Sequence, residues 1–245
     1  IVAQVVSYST SAVALGAPAR EVDFTVPTGN FGDIFAGYVA KKMGLPVRRL
    51  RIAANINDIL ARTLKTGIYE VKQVHATTSP SMDIQISSNF ERLLFEATGR
   101  DSATVRALMG SLSQSGRFVL SDAVLKTIRD EFDAGRADET ETDAAIRAAW
   151  REAGELVDPH SAVALAVADQ DKPVSTVPNI VLSTAHAAKF PDAVEAACGI
   201  RPALPAWLDG LMTKSEHIKV MKNDQTEVER FILSVSRAAK QGAAG

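Results

Sequence analysis

The sequence is poor in the residues that mark several classes of protein. Its single cysteine, Cys198, excludes an internal disulfide and favours a reducing compartment, so we expect a cytoplasmic protein. A formal net charge of -2 gives no support for a nucleic-acid partner. No apolar run is long enough to span a bilayer, so no membrane partner is expected. The four histidines are scattered without the spacing of a zinc site, which predicts no metal: His75, His160, His186 and His217.

What remains is an ordinary globular composition. The 245 residues, 46% hydrophobic and 23% charged, suffice for one large domain or two small ones. The chain starts at Ile1, and residues 1–15 are mostly apolar with no capping residue before them. Because a helix that begins a domain usually has an N-cap residue, this start predicts a fragment cut from a longer protein.

Residues 22–67 alternate between strand-like and helix-like patterns. The apolar runs at 22–26 and 47–53 are each followed by helical spacing, at 31–43 and 57–67. Short connections between strand, helix, strand and helix are typical of a parallel α/β sheet. The predicted fold class is therefore α/β.

The later residues have a different pattern. Helix-like stretches dominate residues 88–157, including one at 121–135, and predict a largely helical insertion. Strand-like patterns return at "SAVALAVA" (161–168) and "NIVLST" (179–184), and a final helix is expected at 224–240. We therefore divide the chain into an αβα part, the helical insertion, and a return to α/β with carboxyl-terminal helices: residues 1–87, 88–157 and 158–245.

The segment "PTGNFGD", residues 27–33, predicts an anion site. Pro27 cannot donate to a sheet and so ends the strand, and Thr28 is a candidate N-cap. Gly29 and Gly32 let the backbone turn and leave its N–H groups uncovered. The helix that follows adds unpaired amides and a positive dipole end, and a phosphate group is the usual occupant of such a site.

Two observations leave this interpretation open. Asp33 would repel a phosphate unless its carboxylate points away and bonds the amides of its own helix. The loop also lacks both G-x-G-x-x-G and the P-loop pattern, so neither dinucleotide nor P-loop binding is supported. A plain glycine-containing turn between strand and helix is the alternative.

Several motifs together resemble the threonine synthase family. They are "PTGNFGD", "AANINDILARTLKTGIYE" (53–70), "SPSMDIQISSNFERLLFEATG" (79–99), "DPHSAVA" (158–164) and "STAHAAKF" (183–190). They occur in the family's order and cover most of the chain up to about residue 200. The resemblance implies part of the three-layer, parallel-sheet domain of fold-type-II pyridoxal-phosphate enzymes.

The resemblance also implies a cofactor site for pyridoxal 5'-phosphate. Thr184 is implied to place its hydroxyl on the pyridine nitrogen, although a β-branched residue ending a buried strand is the alternative. The cofactor phosphate is implied to be held, mainly by backbone amides, at Gly29, Asn30, Phe31 and Gly32.

The implied reaction converts O-phospho-L-homoserine and water into L-threonine and phosphate, the last step of threonine biosynthesis. Asn89 and Arg92 could bind the phosphate of this substrate, although Arg92 could instead pair with Glu91 or Glu96. The family's Schiff-base lysine lies in a Phe-Lys-Asp setting that this chain lacks. We therefore expect no catalytic residue in this chain, an inactive chain on its own, and a missing amino-terminal half as its partner.

Two other classes of function stay open from the sequence. Threonine dehydratase and cysteine synthase share the fold type and also use a glycine-rich phosphate loop. A non-catalytic phosphate-binding α/β module would need only the loop. The residues do not decide the roles of His160 and His186, which could orient nearby loops or be structural.

Overall fold

The computed structural model describes residues 1–170 and 176–237. The chain divides into two compact units, Ile1–Ala203 and a second unit that starts at Leu204. Within the described ranges, no helix is long and apolar enough to cross a membrane. The same ranges contain no group of His, Cys, Asp and Glu side chains that could hold a metal ion.

The first unit is built on a parallel sheet. The strands are β1 (Val22–Pro27), β2 (Val47–Ala54), β3 (Ile68–Glu70), β4 (Arg117–Val119), β5 (Phe132–Arg136) and β6 (Asn179–Val181). The main sheet has the order β5-β2-β1-β6 with every neighbouring pair parallel, whereas β3 and β4 form a separate antiparallel pair. The predicted parallel α/β class is confirmed.

Ten α-helices lie in the described part of the chain. They are α1 (Val5–Ala14), α2 (Gly32–Lys42), α3 (Ile59–Thr66), α4 (Phe90–Ala97), α5 (Ser102–Ser115), α6 (Asp122–Glu131), α7 (Glu139–Ala153), α8 (Pro159–Asp169), α9 (Pro191–Cys198) and α10 (Gln225–Val235). Short 3-10 helices occur at Pro80–Met82, Ala187–Lys189, Ala206–Leu208 and Leu211–Thr213. Of these elements, only α10 and the last two 3-10 helices belong to the second unit.

The strands place apolar side chains on both faces of the sheet, and helices pack against both faces. Phe24 and Ile52 belong to the core that includes residues of α1 and α2. The next residue of β2, Ala53, packs instead with Val163 and Val167 of α8. Successive residues of a strand point to opposite faces, so helices cover the sheet on both sides. This is the three-layer arrangement that the resemblance implied.

The strand predicted at residues 161–168 is wrong, because these residues lie in α8. Asp158 is the N-cap, and its carboxylate accepts a hydrogen bond from the His160 amide. Pro159 occupies the first turn, where its missing N–H costs nothing. A short run of small apolar residues fits a buried helix as well as a buried strand, so its periodicity did not separate the two.

The helix predicted at residues 121–135 is wrong at its end. The helix α6 stops at Glu131, and the chain continues as β5, an edge strand beside β2. A Cβ added to Gly135 would lie 2.5 Å from Cγ1 of Val167, so β5 lies close against α8. The sequence gives little sign of this strand, because it contains the poor strand formers Asp133 and Gly135.

Residues 88–157 are otherwise mostly helical, as predicted. Since β5 belongs to the main sheet, the segment is not wholly an insertion outside it. The boundaries at residues 87/88 and 157/158 stay predictions. The final helix was predicted at 224–240; α10 covers Gln225–Val235, and residues 238–240 lie outside the described residues.

Gly37 of α2 lies in close contact with side chains of α1 and β2. A Cβ at this position would lie 2.5 Å from Cε1 of Tyr8 and 2.9 Å from Cδ2 of Leu50. Both of those side chains are completely buried and have little room to move. Glycine is therefore required here by packing rather than by backbone conformation.

Replacing Gly37 by alanine is expected to lower the free energy of unfolding by about 1–3 kcal/mol, the usual cost of overpacking a core. Gly110, in the middle of α5, is the matched control, because an added Cβ there meets nothing within 4 Å. Gly110→Ala should stabilise the chain by about 0.5–1 kcal/mol. Denaturant titration of both variants measures the difference, and equal effects would contradict the packing account.

Candidate functional site

Three strand ends meet at one edge of the main sheet. Because β1, β2 and β6 are parallel neighbours, the residues that follow them lie at the same edge. These residues are the loop 28–31 after β1, Asn55 and Asn57 after β2, and Thr184 after β6. Ligands of open parallel sheets bind beyond this edge, so the sheet brings the predicted loop and Thr184 to the edge where a ligand is expected.

The backbone between β1 and α2 leaves several amides without a partner. Phe31 is the N-cap of α2 with φ 66° and ψ 4°, in the left-handed region, and its own side chain makes no capping hydrogen bond. The Gly32 amide donates to Oδ1 of Asn30 at 3.0 Å. The amides of Asn30, Phe31 and Asp33 make no hydrogen bond to the residues that the structure describes. Uncovered amides at a helix start form an anion site.

Thr28 is not the N-cap that the sequence predicted. Its hydroxyl donates to the Val26 carbonyl at 2.7 Å, and its amide donates to the Ala53 carbonyl at 2.8 Å. The residue is buried and continues the pairing of β1 with β2. The helix begins only at Gly32, which leaves the intervening loop free to present its amides.

Gly29 lies against the backbone of a neighbouring loop. A Cβ at this position would be 2.6 Å from the Ser81 carbonyl oxygen and 3.2 Å from Cα of Met82. The Ser87 hydroxyl donates to the Gly29 carbonyl at 2.8 Å. Only glycine fits between β1 and this second loop, so the side chain is excluded by backbone atoms that cannot rotate away.

Aromatic packing holds Phe31 in its unusual backbone conformation. The side chain is 1% exposed, and its ring centroid lies 5.4 Å from that of Phe90 and 5.5 Å from that of Phe132. A left-handed conformation costs a non-glycine residue of the order of 1–3 kcal/mol, and burial of the ring offsets this cost. The direction of the loop amides is therefore fixed by the core.

Asn89 and Arg92 lie beside the loop. The backbone and side-chain amides of Asn89 both donate to the Asn30 carbonyl, at 3.0 and 3.1 Å. Nε of Arg92 donates to Oδ1 of Asn89 at 2.9 Å. The four residues Asn30, Gly32, Asn89 and Arg92 share an open cavity of about 560 Å³. The predicted loop and the predicted substrate residues are thus brought together.

Arg92 does not form the ion pair that was its alternative role. Within the described residues its guanidinium pairs with neither Glu91 nor Glu96, and Glu96 pairs instead with Arg100 at 3.2 Å. Arg92 is exposed, and its two terminal nitrogens have no hydrogen-bond partner in the described ranges. These two terminal nitrogens could donate hydrogen bonds to an anion in the cavity.

Asp33 does not make the hydrogen bonds that would reconcile it with a nearby phosphate. Its carboxylate makes no hydrogen bond to the described residues, whereas the condition for a phosphate beside it was that it bonds the amides of its own helix. Burial raises the pKa of the Asp33 carboxyl above its ordinary value.

Thr184 lies three residues beyond the end of β6 and is exposed. Its amide donates to the Ser161 hydroxyl at 3.3 Å. It does not line the cavity beside Asn30. It is not the last residue of a buried strand either, so that alternative is wrong. It lies at the same edge of the sheet as the loop after β1.

The polar residues after β2 have a structural role. Asn55 and Asn57 both donate to Oδ1 of Asp83, at 2.8 and 3.0 Å, and Asn57 also donates to the His75 carbonyl. Both are buried. They hold the loop of residues 75–83 against the sheet edge and cap no helix.

The two histidines near the site have different environments. His160 is buried between the Asp158 carboxylate and the Ser81 amide, at 2.9 and 3.2 Å. His186 is exposed and caps a 3-10 helix through the Ala188 amide. Sequence reasoning included Asp158 and Ser161 in the motif "DPHSAVA" but assigned a role to neither. The Asp-Pro pair at a helix start was the available signal.

Threonine synthases match this chain in sequence. The family model described as "Threonine synthase, C-terminal" matches residues 161–232. The chain is 45% identical over 233 residues to the threonine synthase of Pseudomonas aeruginosa, a match that covers 95% of this chain and 50% of that protein. For the threonine synthase of Methylobacillus glycogenes the identity is 39%, over 95% of this chain and 50% of that protein.

Solved threonine synthases match the fold as well. A pyridoxal-phosphate-bound threonine synthase from Brucella melitensis superposes with a TM-score of 0.88 and 59% identity, over 96% of this chain and 51% of that chain. The yeast threonine synthase gives a TM-score of 0.82 and 35% identity, over 96% of this chain and 52% of that chain. The chain therefore spans about half the length of the relatives it matches.

Proposed function

We propose that this chain, which matches the carboxyl-terminal half of threonine synthases in sequence and fold, supplies half of the active site of such an enzyme. The full-length polypeptide then converts O-phospho-L-homoserine and water into L-threonine and phosphate, the last step of threonine biosynthesis. The observation that carries the proposal is the loop at residues 29–32, where the amides of Asn30 and Phe31 have no partner among the described residues and where Asn30 and Gly32 line an open cavity. The cytoplasmic location inferred from the single cysteine belongs to the same proposal.

The loop fits the phosphate of pyridoxal 5'-phosphate. Backbone atoms of Ser81 and Met82 leave no room for a side chain on Gly29, so the loop amides stay uncovered. The amides of Asn30 and Phe31 and the start of α2 would hold the phosphate oxygens. When bound, the cofactor supplies a ring that delocalises carbanion character at the substrate.

Thr184 would place its hydroxyl on the pyridine nitrogen. A neutral hydroxyl does not keep this nitrogen protonated as an aspartate would, so the ring withdraws electrons less strongly. This suits replacement at the β and γ carbons of an amino acid. The position of Thr184 at the same sheet edge as the loop supports this role.

Asn89 and Arg92 would bind the phosphate of the substrate. The guanidinium offers two terminal nitrogens for a bidentate contact with a phosphate, and the Arg92–Asn89 hydrogen bond orients it. The phosphate would leave from the γ carbon of O-phospho-L-homoserine, which becomes the methyl group of threonine, and water would add at the neighbouring β carbon. The residues of this chain thus bind and orient both phosphates, one from the cofactor and one from the substrate.

The remaining chemistry requires residues outside this chain. No Phe-Lys-Asp motif occurs in the 245 residues, so the lysine that attaches the cofactor and moves protons must come from the amino-terminal half.

The full-length polypeptide should release inorganic phosphate from O-phospho-L-homoserine and form threonine. The 245-residue chain alone should not exceed background. Activity of this chain alone, or a full-length protein without phosphate release, would contradict the proposal. In the second case, threonine dehydratase or a non-catalytic phosphate-binding module becomes the better description.

Replacing Gly29 by alanine should weaken cofactor binding to the full-length protein by about tenfold or more. The added Cβ collides with the Ser81 carbonyl, so either the loop or its neighbour must move, and the amides lose their alignment. Titration of the cofactor-free protein with pyridoxal phosphate, followed by absorbance, measures the affinity. Gly110→Ala is the control, and equal affinities in the two variants would argue against the loop as the phosphate site.

Replacing Arg92 by lysine should raise the KM for O-phospho-L-homoserine by about tenfold, because an ammonium group cannot reproduce a bidentate contact. The affinity for pyridoxal phosphate should not change. Arg100→Lys is the control, since Arg100 is an exposed arginine paired with Glu96. A loss of cofactor affinity with an unchanged KM would mean that Arg92 serves the cofactor instead of the substrate.

A further inference from the structure

A buried carboxylate connects the two parts of the proposed cofactor site. Asp158 is completely buried and accepts three hydrogen bonds. Two come from His160, one from its amide and one from Nδ1, both at 2.9 Å, and the third comes from the Ser161 hydroxyl. Burial alone would raise the pKa of Asp158, but the hydrogen bonds from His160 and Ser161 outweigh it and lower the pKa below the ordinary value of 3.8. The carboxylate is therefore charged at neutral pH.

One arm of this network runs through His160 to the glycine loop. The Ser81 amide donates to Nε2 of His160 at 3.2 Å, so Nε2 is an acceptor and the ring proton lies on Nδ1, facing Asp158. The carbonyl of the same Ser81 is the group that leaves no room for a side chain on Gly29. Asp158 thus orients the imidazole of His160, and this imidazole holds the Ser81 backbone against which the glycine loop lies.

The other arm runs through Ser161 to the loop after β6. The Ser161 hydroxyl donates to Asp158 and accepts the Thr184 amide at 3.3 Å. It also lies 3.3 Å from the hydroxyl of Ser183. The Thr184 side chain is exposed and does not pack against the core. The hydrogen bond from the Thr184 amide to Ser161 therefore anchors the segment that carries the Thr184 hydroxyl.

We infer that Asp158 is a positioning residue that fixes the separation between the phosphate loop and Thr184. This inference rests on the proposed function, because it requires one rigid ligand that contacts both places. A ligand with a phosphate at one end and a ring nitrogen at the other needs both anchors at a set distance. An error of about 1 Å in such a distance weakens every contact that depends on it.

The alternative is that Asp158 serves only as the N-cap of α8. Asp101 separates the two explanations, because it is the N-cap of α5 with the same local pattern. It accepts the amide two residues on, from Ala103 at 2.9 Å, and the hydroxyl three residues on, from Thr104 at 2.6 Å. Asp101 is exposed, and neither of these partners bonds to the loops of the site. Asparagine is a good N-cap, so both Asp→Asn variants should keep their helices.

The experiment titrates the cofactor-free full-length protein with pyridoxal phosphate. Asp158→Asn should weaken binding about tenfold, the size expected when a hydrogen bond to a charged group is lost. Asp101→Asn should bind as the unmodified protein does. If both variants keep the unmodified affinity, the inference is overturned while the proposed function stands. If the unmodified protein itself does not bind pyridoxal phosphate, the proposed function fails and the inference fails with it.

Variants of the two arms provide a readout that a merely structural role would not change. Ser161→Ala should alter the absorption spectrum of the bound cofactor, because it frees the segment facing the ring nitrogen, and should leave the affinity for inorganic phosphate unchanged. His160→Ala should lower phosphate affinity, measured by competition, and His160→Gln should restore part of it, since glutamine can both donate and accept. Identical losses of phosphate affinity in all three variants would overturn the assignment of separate arms.

Discussion

The position of β1 between two parallel neighbours is the constraint on which the site depends. All six of its residues are buried, and it pairs with β2 on one side and β6 on the other. The pairing with β2 continues through the Thr28 amide, so the sheet fixes the chain up to the residue before Gly29. The sheet therefore fixes the positions at which the loop and the segment carrying Thr184 leave it, before any ligand binds. A site prepared in this way need not reorganise on binding.

The sequence predicts those helices and strands whose formation depends on residues that are adjacent in the chain. The order of β1, α2, β2 and α3 follows from the switch between strand and helix periodicity and from the glycines that end the helices. The errors at residues 161–168 and 132–136 have a different origin. The small apolar residues of α8 show no clear periodicity. The strand β5 is stabilised by its pairing with β2 and by the close approach of Gly135 to Val167 of α8. Such tertiary contacts override the intrinsic preference of the residues for helix or strand.

The same distinction separates what was predicted in the site from what was missed. The loop at residues 29–32 was found because its glycines, its strand end and its helix start are adjacent in sequence. The roles of Ser81, Ser87 and Asp158 were missed because each residue acts across more than 50 residues, on Gly29 or through His160. A single sequence shows that Asp158 precedes a proline and begins a helix. It does not show that the carboxylate of Asp158 accepts the Ser161 hydroxyl, which in turn accepts the Thr184 amide.

The energetics of the loop explain why its geometry requires so much support. A helix dipole at an exposed site contributes only about 0.3–1 kcal/mol, so an anion held by the dipole alone would leave readily. Hydrogen bonds from amides to a charged phosphate contribute about 1.5–3 kcal/mol each, but only when the amides are aligned beforehand. Alignment here requires Phe31 in the left-handed region, and the rings of Phe90 and Phe132 keep it there. The aromatic core beneath α2 is therefore part of the proposed anion site, although no aromatic atom needs to contact the anion.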